Sequence, residues 1–261
     1  MQSTMLEGKV VVVSGVGPSL GRSIALRSAA AGADVVLGAR TKDYLQTVAR
    51  EVEALGRTAV PIAVDITDVA SAESFATAAT SAFGRIDVLI NNAFAIPSMK
   101  DLAHTDESVI RRGLELSLFG TLRLTQLFTP SLAESSGAIV MINSAVIRHS
   151  QPKYGGYKIA KASLLAMSQT LASELGPQGI RVNTVAPGYI WGSTLQGYFA
   201  HVAEKYGTST DQIYQQTAAT MDLRRLPEPD EIADAVVFLA SPLARAITGQ
   251  CLDVNCGEYH H

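Results

Sequence analysis

Three side chains able to move a proton on and off an oxygen stand close together in this chain: Ser144, Tyr157 and Lys161. Tyr157 and Lys161 are four residues apart, so on a helix they share one face, one turn from each other. A free phenol titrates at about pH 10 and is no base at neutral pH. An ammonium held beside it favours the phenolate and lowers that value. A serine hydroxyl nearby can hydrogen-bond a carbonyl or alcohol oxygen. Together the three suit general acid–base chemistry on a substrate oxygen. Tyr-x-x-x-Lys by itself is commonly an ordinary surface pair, so the elements around it carry the decision.

The run Ile139-Val140-Met141-Ile142 reads as a buried strand, which puts Ser144 just past a strand's carboxyl end. A loop with Pro152, Gly155 and Gly156 follows. From Tyr157 the spacing of Ile159, Leu164, Leu165, Ser168, Leu171 and Leu175 is helical.

A second constellation opens the chain. The apolar run 9–14 is followed at once by Gly15-Val16-Gly17-Pro18-Ser19-Leu20-Gly21 and then by a helix over 23–30. Strand, glycine-rich turn and helix aim backbone N–H groups and a helix amino terminus at a phosphate. The next strand, 33–38, ends in Ala39-Arg40-Thr41-Lys42. An acidic residue at that tip would bond the ribose hydroxyls of NAD, and a basic one would take the 2′-phosphate of NADP. No carboxylate stands there, and Arg40 offers a charged fork, so NADP(H) is favoured and NAD(H) stays possible. Arg40 as a plain solvated charge is the competing reading.

Further strands are expected over 58–64, 86–90, 180–185 and 249–254, and helices over 44–55, 70–83, 107–132 and 227–239. Asp68 or Thr67 is the expected cap of the third helix. Asp65 stands at a strand tip, where it can accept a bond from an adenine amino group, and Ile66 lies beside it. Asn91 and Asn92 either tie neighbouring strand ends together or face the cofactor. The segment 191–220 breaks the rhythm with Trp191, Tyr198, Phe199, Tyr206 and Tyr214; it is a substrate-binding lid or an extra surface helical pair. The alternation implies one α/β domain over 1–261, a Rossmann-like doubly wound parallel sheet of about seven strands.

Composition agrees with a single large core. Apolar residues make up 47% of 261, charged residues 17%, and the net charge is −3, so no nucleic-acid partner is implied. No apolar run reaches membrane-spanning length. The amino terminus, from Met1-Gln2-Ser3, lacks signal-peptide features. Cys251 and Cys256 read as thiols of a cytoplasmic protein, and no metal site is expected. His260 and His261 receive no role.

In order and spacing these pieces resemble the short-chain dehydrogenase/reductase family over nearly the whole chain. The resemblance rests on Gly15 through Gly21, Asp65, Asn91-Asn92-Ala93, Ser144, Tyr157 with Lys161, Pro187-Gly188 and Thr248-Gly249. It implies that Tyr157 is the general acid/base, that Lys161 lowers its pKa and holds the nicotinamide ribose, and that Ser144 positions the substrate oxygen. It further implies that Pro187, Gly188 and Ile190 adjoin the nicotinamide, and that Gly15, Gly17, Ser19, Leu20, Gly21, Asn92 and Ala93 enclose the cofactor. The implied activity is hydride transfer between a nicotinamide and a secondary alcohol or ketone, in a homodimer or homotetramer built on the helices over 107–132 and 157–175.

The chain departs from that family in four places. Ser19 replaces the middle glycine of the turn, Phe94 a glycine after Ala93, and Cys256 the first glycine of a final Gly-Gly. Ser117 replaces an asparagine that holds a proton-relaying water; as fourth catalytic residue a serine is expected to bind that water less rigidly. Tyr154, seven residues before Lys161, resembles the tyrosine of enoyl reductases in the same superfamily, which makes reduction of a carbon–carbon double bond the first rival. A non-catalytic NADP-binding sensor or scaffold is the second. Phe94, Ile147, Tyr189, Trp191 and Phe199 suggest a bulky apolar small-molecule substrate. His149 is expected to be a loop residue, not a proton donor.

Overall fold

The computed structural model describes residues 4–96 and 98–260. Met1 to Ser3 of the amino-terminal stretch and His261 lie outside them. The elements run β1 (Val10–Ser14), α1 (Leu20–Ala30), β2 (Asp34–Ala39), α2 (Lys42–Ala54), β3 (Ala59–Ala63), α3 (Val69–Phe83) and β4 (Val88–Asn91). Then follow α4 (Glu107–Leu114), α5 (Thr121–Ser135), β5 (Ala138–Ile142), α6 (Gly155–Leu175), β6 (Arg181–Pro187), α7 (Ser193–Tyr206), α8 (Thr210–Ala218), α9 (Pro229–Ala240) and β7 (Cys251–Val254). The seven strands form one parallel sheet in the order β3-β2-β1-β4-β5-β6-β7.

Strand alternation sorts the core into two layers. Val11 and Val13 of β1, with Val35 and Leu37 of β2, pack under α1, α2 and α9 on one face. Val10, Val12 and Val36 pack with Phe75 of α3, Phe128 of α5 and Leu164 of α6 on the other. With both faces covered, β1, β4 and β5 are buried at every position, which is why they read as unbroken apolar runs. The third helix starts as expected: Asp68 accepts the Ser71 N–H at 2.7 Å.

Two expected stretches differ in detail. The helix over 107–132 is three pieces, α4, a π-helical turn over Glu115–Gly120, and α5. Gly120 ends the turn against Ile66, whose Cγ1 would lie 2.8 Å from a Cβ there. Helical periodicity in sequence does not reveal one inserted residue. The segment 191–220 is the helical pair α7–α8, closed by a capping box at Ser209 and Gln212. It has a small core of its own, Phe199, Ala218, Met221 and Leu226, against which Trp191 and Tyr214 pack. Among the described residues no helix is long and apolar enough to cross a membrane, and no group of His, Cys, Asp or Glu side chains could hold a metal ion.

Candidate active site

The strand tips open on one cavity of about 1430 Å³, at the point where the strand order reverses between β1 and β4. The glycine turn closes there by backbone contact. Gly15 has φ +95°, and a Cβ on it would lie 2.4 Å from the Ala93 nitrogen. A Cβ on Gly21 would lie 2.4 Å from the Gly15 carbonyl oxygen. Gly17, in contrast, borders open space. The Asn92 side-chain amide donates to the Gly15 carbonyl at 2.7 Å, so this asparagine ties the tips of β1 and β4 together. Asn91 points to the sheet face covered by α5, towards Thr125 and Met141.

The start of α1 carries no capping side chain, because the Ser19 hydroxyl lies against Gly192 before α7. The first N–H groups of a helix left uncapped in this way suit an anion. At the far end of the cavity Arg40 stands on the wall near Asp65. The Asp65 carboxylate accepts the Thr67 hydroxyl at 2.7 Å and the Thr67 N–H at 2.9 Å. Those bonds, aided by the Arg40 charge, hold its carboxyl below the usual range. Glycine cradle, uncapped helix start and a cation at the β2 tip fit a dinucleotide.

The proton-moving residues meet at the tip of β5. Ser144 caps a short 3₁₀ turn, its hydroxyl accepting the Val146 N–H at 3.2 Å, and it hydrogen-bonds the Tyr157 hydroxyl. Lys161, 2% exposed, lies one helical turn from Tyr157 on α6, its Nζ donating to the Ile142 carbonyl at 2.8 Å and sitting 5.9 Å from the Tyr157 ring centre. Asn143 holds the two elements together. Its amide donates to the Lys161 carbonyl at 3.0 Å and its oxygen accepts the Ser144 N–H at 2.9 Å.

Burial sets the charges here. It pushes the Tyr157 phenol up to about 12, with the Ser144 hydrogen bond only partly opposing it. It also pushes the Lys161 amine down to about 7. The expected lowering of the phenol by a neighbouring ammonium is therefore outweighed in this arrangement: a desolvated phenol disfavours its anion, and a desolvated amine sheds its proton.

The site residues expected from the sequence line this cavity, Leu20, Ile66, Pro187, Gly188 and Ile190 included, with Ser117 the exception. Ser117 sits in the π turn, 1% exposed, its hydroxyl without a hydrogen-bond partner, while its neighbours Glu115 and Leu116 reach the wall. Phe94, half exposed, lies beside Tyr157 with its ring centre 6.5 Å away and places its face 5.5 Å from Lys161 Nζ. Tyr154 hydrogen-bonds Tyr189, and His149 stacks on Tyr259 at 4.5 Å, so both are wall residues. Asn143 and Glu258 are also in the site, although nothing in their local sequence pattern marks them. Asn143 acts through backbone bonds, and Glu258 comes from the far end of the chain.

The family model described as Enoyl-(Acyl carrier protein) reductase matches residues 15–259. The chain is 32% identical to 7alpha-hydroxysteroid dehydrogenase of Escherichia coli over 97% of its own length and 94% of the relative's. It is 33% identical to a 3-oxoacyl-(acyl-carrier-protein) reductase of Staphylococcus epidermidis, over 96% and 99%. Among solved structures, a 7 alpha-hydroxysteroid dehydrogenase complexed with NADH and 7-oxo glycochenodeoxycholic acid superposes with a TM-score of 0.89 at 32% identity, covering 98% and 96% of the two chains. L-sorbose reductase from Gluconobacter frateurii, complexed with NADPH and L-sorbose, gives 0.93 at 28% identity over the full length of both.

Proposed function

The chain belongs to the short-chain dehydrogenase/reductase family, and from that premise we propose how its residues share the work. It is a nicotinamide-dependent oxidoreductase acting between a secondary alcohol and a ketone. The observation that carries the assignment of roles is the hydrogen bond between the Ser144 and Tyr157 hydroxyls on the cavity wall, with Lys161 one turn away.

The bound cofactor supplies or accepts the hydride. Gly15, Gly17, Ser19, Leu20, Gly21 and the amino end of α1 hold its diphosphate, with Asn92 and Ala93 closing the turn. Asp65 and Ile66 flank the adenine, Lys161 holds the nicotinamide ribose, and Pro187, Gly188 and Ile190 border the ring. Arg40 binds a 2′-phosphate, which favours NADP(H) over NAD(H). Relatives are divided on this point, one complex holding NADH and another NADPH.

In the reducing direction a phenol held at about 12 is protonated at neutral pH, and Tyr157 gives that proton to the substrate oxygen. Ser144 donates to the same oxygen and stabilises the charge that develops there. Lys161 faces the phenolate left behind. The helical pair α7–α8 forms the substrate-binding lid, with Thr194, Leu195, Tyr198 and Thr217 on the cavity side. Tyr157→Phe, assayed with NADPH and a ketone panel, loses about a hundredfold or more in turnover; activity within about threefold of the parent refutes the assigned acid.

A second reading has one observation behind it, the enoyl reductase description of the matching family model together with Tyr154 on the wall. In that case Tyr154→Phe, not Tyr157→Phe, abolishes turnover. NADPH binding with no turnover on any carbonyl would instead favour the sensor or scaffold.

The chain assembles as a homodimer or homotetramer through α4–α5 and α6. Phe119 and Ile159, both exposed large apolar residues, support that placement. A monomer peak in size-exclusion chromatography at micromolar concentration overturns it.

A further inference from the structure

Two carboxylates on the cavity wall are not used by the chemistry above; Glu115 is paired with Arg123, which leaves Glu258. Glu258 follows β7 in a turn held by the Glu258 N–H to the Asn255 carbonyl at 3.1 Å and the Gly257 N–H to the Asn255 side chain at 2.9 Å. The turn delivers the side chain to the cavity wall. Its Oε2 is buried and has no hydrogen-bond partner. The same oxygen lies directly on the backbone at Gly188, where a Cβ would come within 2.3 Å of it. Pro187, Gly188 and Ile190 form the segment placed beside the nicotinamide, so the unpaired oxygen stands at the reacting end of the cavity and not at the adenine end.

The residues next to it give the direction. The Tyr189 N–H and the Tyr259 hydroxyl donate to the carboxyl group, and Tyr189 hydrogen-bonds Tyr154, whose hydroxyl is in turn close enough to influence Tyr157. Glu258 thus belongs to the stretch of wall that carries Tyr189, Tyr154 and the proton donor Tyr157. Burial pushes its carboxyl up to about 7, the two neighbouring donors only partly opposing this. A buried acceptor left unmade is costly, and a ligand that supplies a donor recovers that cost once the Glu258 side chain turns from Gly188 towards the cavity.

Resting on the alcohol–ketone reading of this site, we propose that Glu258 is a specificity-determining residue that selects substrates bearing a second hydroxyl beside the carbon that reacts. Tyr157 and Ser144 take the oxygen at the reacting carbon. Glu258 accepts the proton of the second hydroxyl. The groups around it are the hydroxyls of Tyr154, Tyr189 and Tyr259 and the imidazole of His149, which stacks on Tyr259 and whose pKa is lowered by burial and by the Lys158 charge. That set suits a hydroxylated neutral molecule better than a cation. A site built to bond a hydroxyl rejects the analogue that lacks it, because its own buried polar group is then left without a partner. The expectation of a bulky apolar substrate is narrowed accordingly: an apolar frame fits the walls, and the carboxylate calls for one donor on it.

The test compares cyclohexanone with its 2-, 3- and 4-hydroxy derivatives and with 3-aminocyclohexanone, using the cofactor-loaded protein. Both kcat/KM and calorimetric affinity are measured for the parent, Glu258→Gln and Tyr157→Phe. The expected result is a preference of about tenfold or more for the 2-hydroxy derivative over the plain ketone and the 3- and 4-hydroxy derivatives, seen chiefly in KM and in affinity, and falling to within about twofold in Glu258→Gln. Tyr157→Phe keeps the binding preference and loses turnover of every ketone. Equal handling of hydroxylated and plain ketones by the parent overturns the proposal, as does a preference that survives Glu258→Gln. Stronger selection for the aminoketone assigns Glu258 to a cation and also overturns it. If nothing turns over, the alcohol–ketone reading fails, and the affinities still decide whether Glu258 reads a hydroxyl.

Discussion

Lys161 is an amine that the fold has taken out of water, and burial lowers its pKa. Its pKa in the folded protein is about 7, lowered by burial, whereas in the unfolded chain it is an ordinary lysine near 10.5. Between those values the unfolded state binds the extra proton, so stability rises with pH across that window. Below pH 7 both states are protonated and the full cost of burying the charge remains. In Lys161→Met this dependence is absent. Denaturant titrations of cofactor-free protein at pH 7, 8 and 9 therefore show the parent gaining on the variant by up to about 1.4 kcal/mol per pH unit. Parallel curves for the two proteins sink the idea. At this scale residue type and spacing were enough to bring Ser144, Tyr157 and Lys161 together on paper, as they are on the cavity wall. The sequence was silent on Asn143, whose contribution is a pair of backbone bonds, and on the charge states, because spacing says nothing about desolvation.

The amino ends of β1 and β4 are joined by Asp87, which is 2% exposed and receives Lys9 at 2.9 Å, Arg85 at 2.6 Å and the Val10 N–H at 3.0 Å. Burial pushes its carboxyl up, but the bonds from Arg85, Lys9 and Val10 outweigh that and hold it below the usual range. Removing one partner of a buried charged cluster leaves the others uncompensated. Asp87→Ala is expected to cost about 2–3 kcal/mol, a fall in Tm of about 5–10 °C for a chain of this size. A carboxyl with a depressed folded pKa stabilises above its unfolded pKa of about 4 and loses that contribution as pH falls through the folded value. The melting temperatures of parent and variant should accordingly converge on acidification. A gap that stays constant down to pH 3 argues against the charge as its cause. At the scale of elements, β1, β4 and β5 were readable because burial on both faces leaves apolar runs. The π turn over Glu115–Gly120 was not, since one inserted residue changes which side chains reach the cavity without disturbing the apolar spacing.

Across the whole molecule, the cavity draws its walls from both halves of the sheet. Gly15, Arg40 and Asp65 come from the β1–β3 half, and Ser144, Tyr157, Gly188 and the α7–α8 pair from the other. The arrangement of halves about a switch point followed from the strand–helix alternation. The convergence of the carboxyl-terminal turn and α8 on the substrate end did not, because it joins segments far apart in the chain. A ligand bridging both halves binds only the folded protein and stabilises it by mass action. At a hundredfold excess over Kd the gain is about 2.7 kcal/mol, or about 5–10 °C in Tm. On the proposed role of Arg40, a charged fork for a 2′-phosphate with no acidic competitor on its own strand tip, NADPH should raise Tm more than NADH at equal concentrations. Arg40→Ala should lower the NADPH shift towards the NADH value while leaving the NADH shift in place, since the glycine cradle and Asp65 serve both dinucleotides. A larger shift with NADH than with NADPH in the parent would reverse the cofactor assignment, and no shift with either would remove the dinucleotide from the cavity altogether.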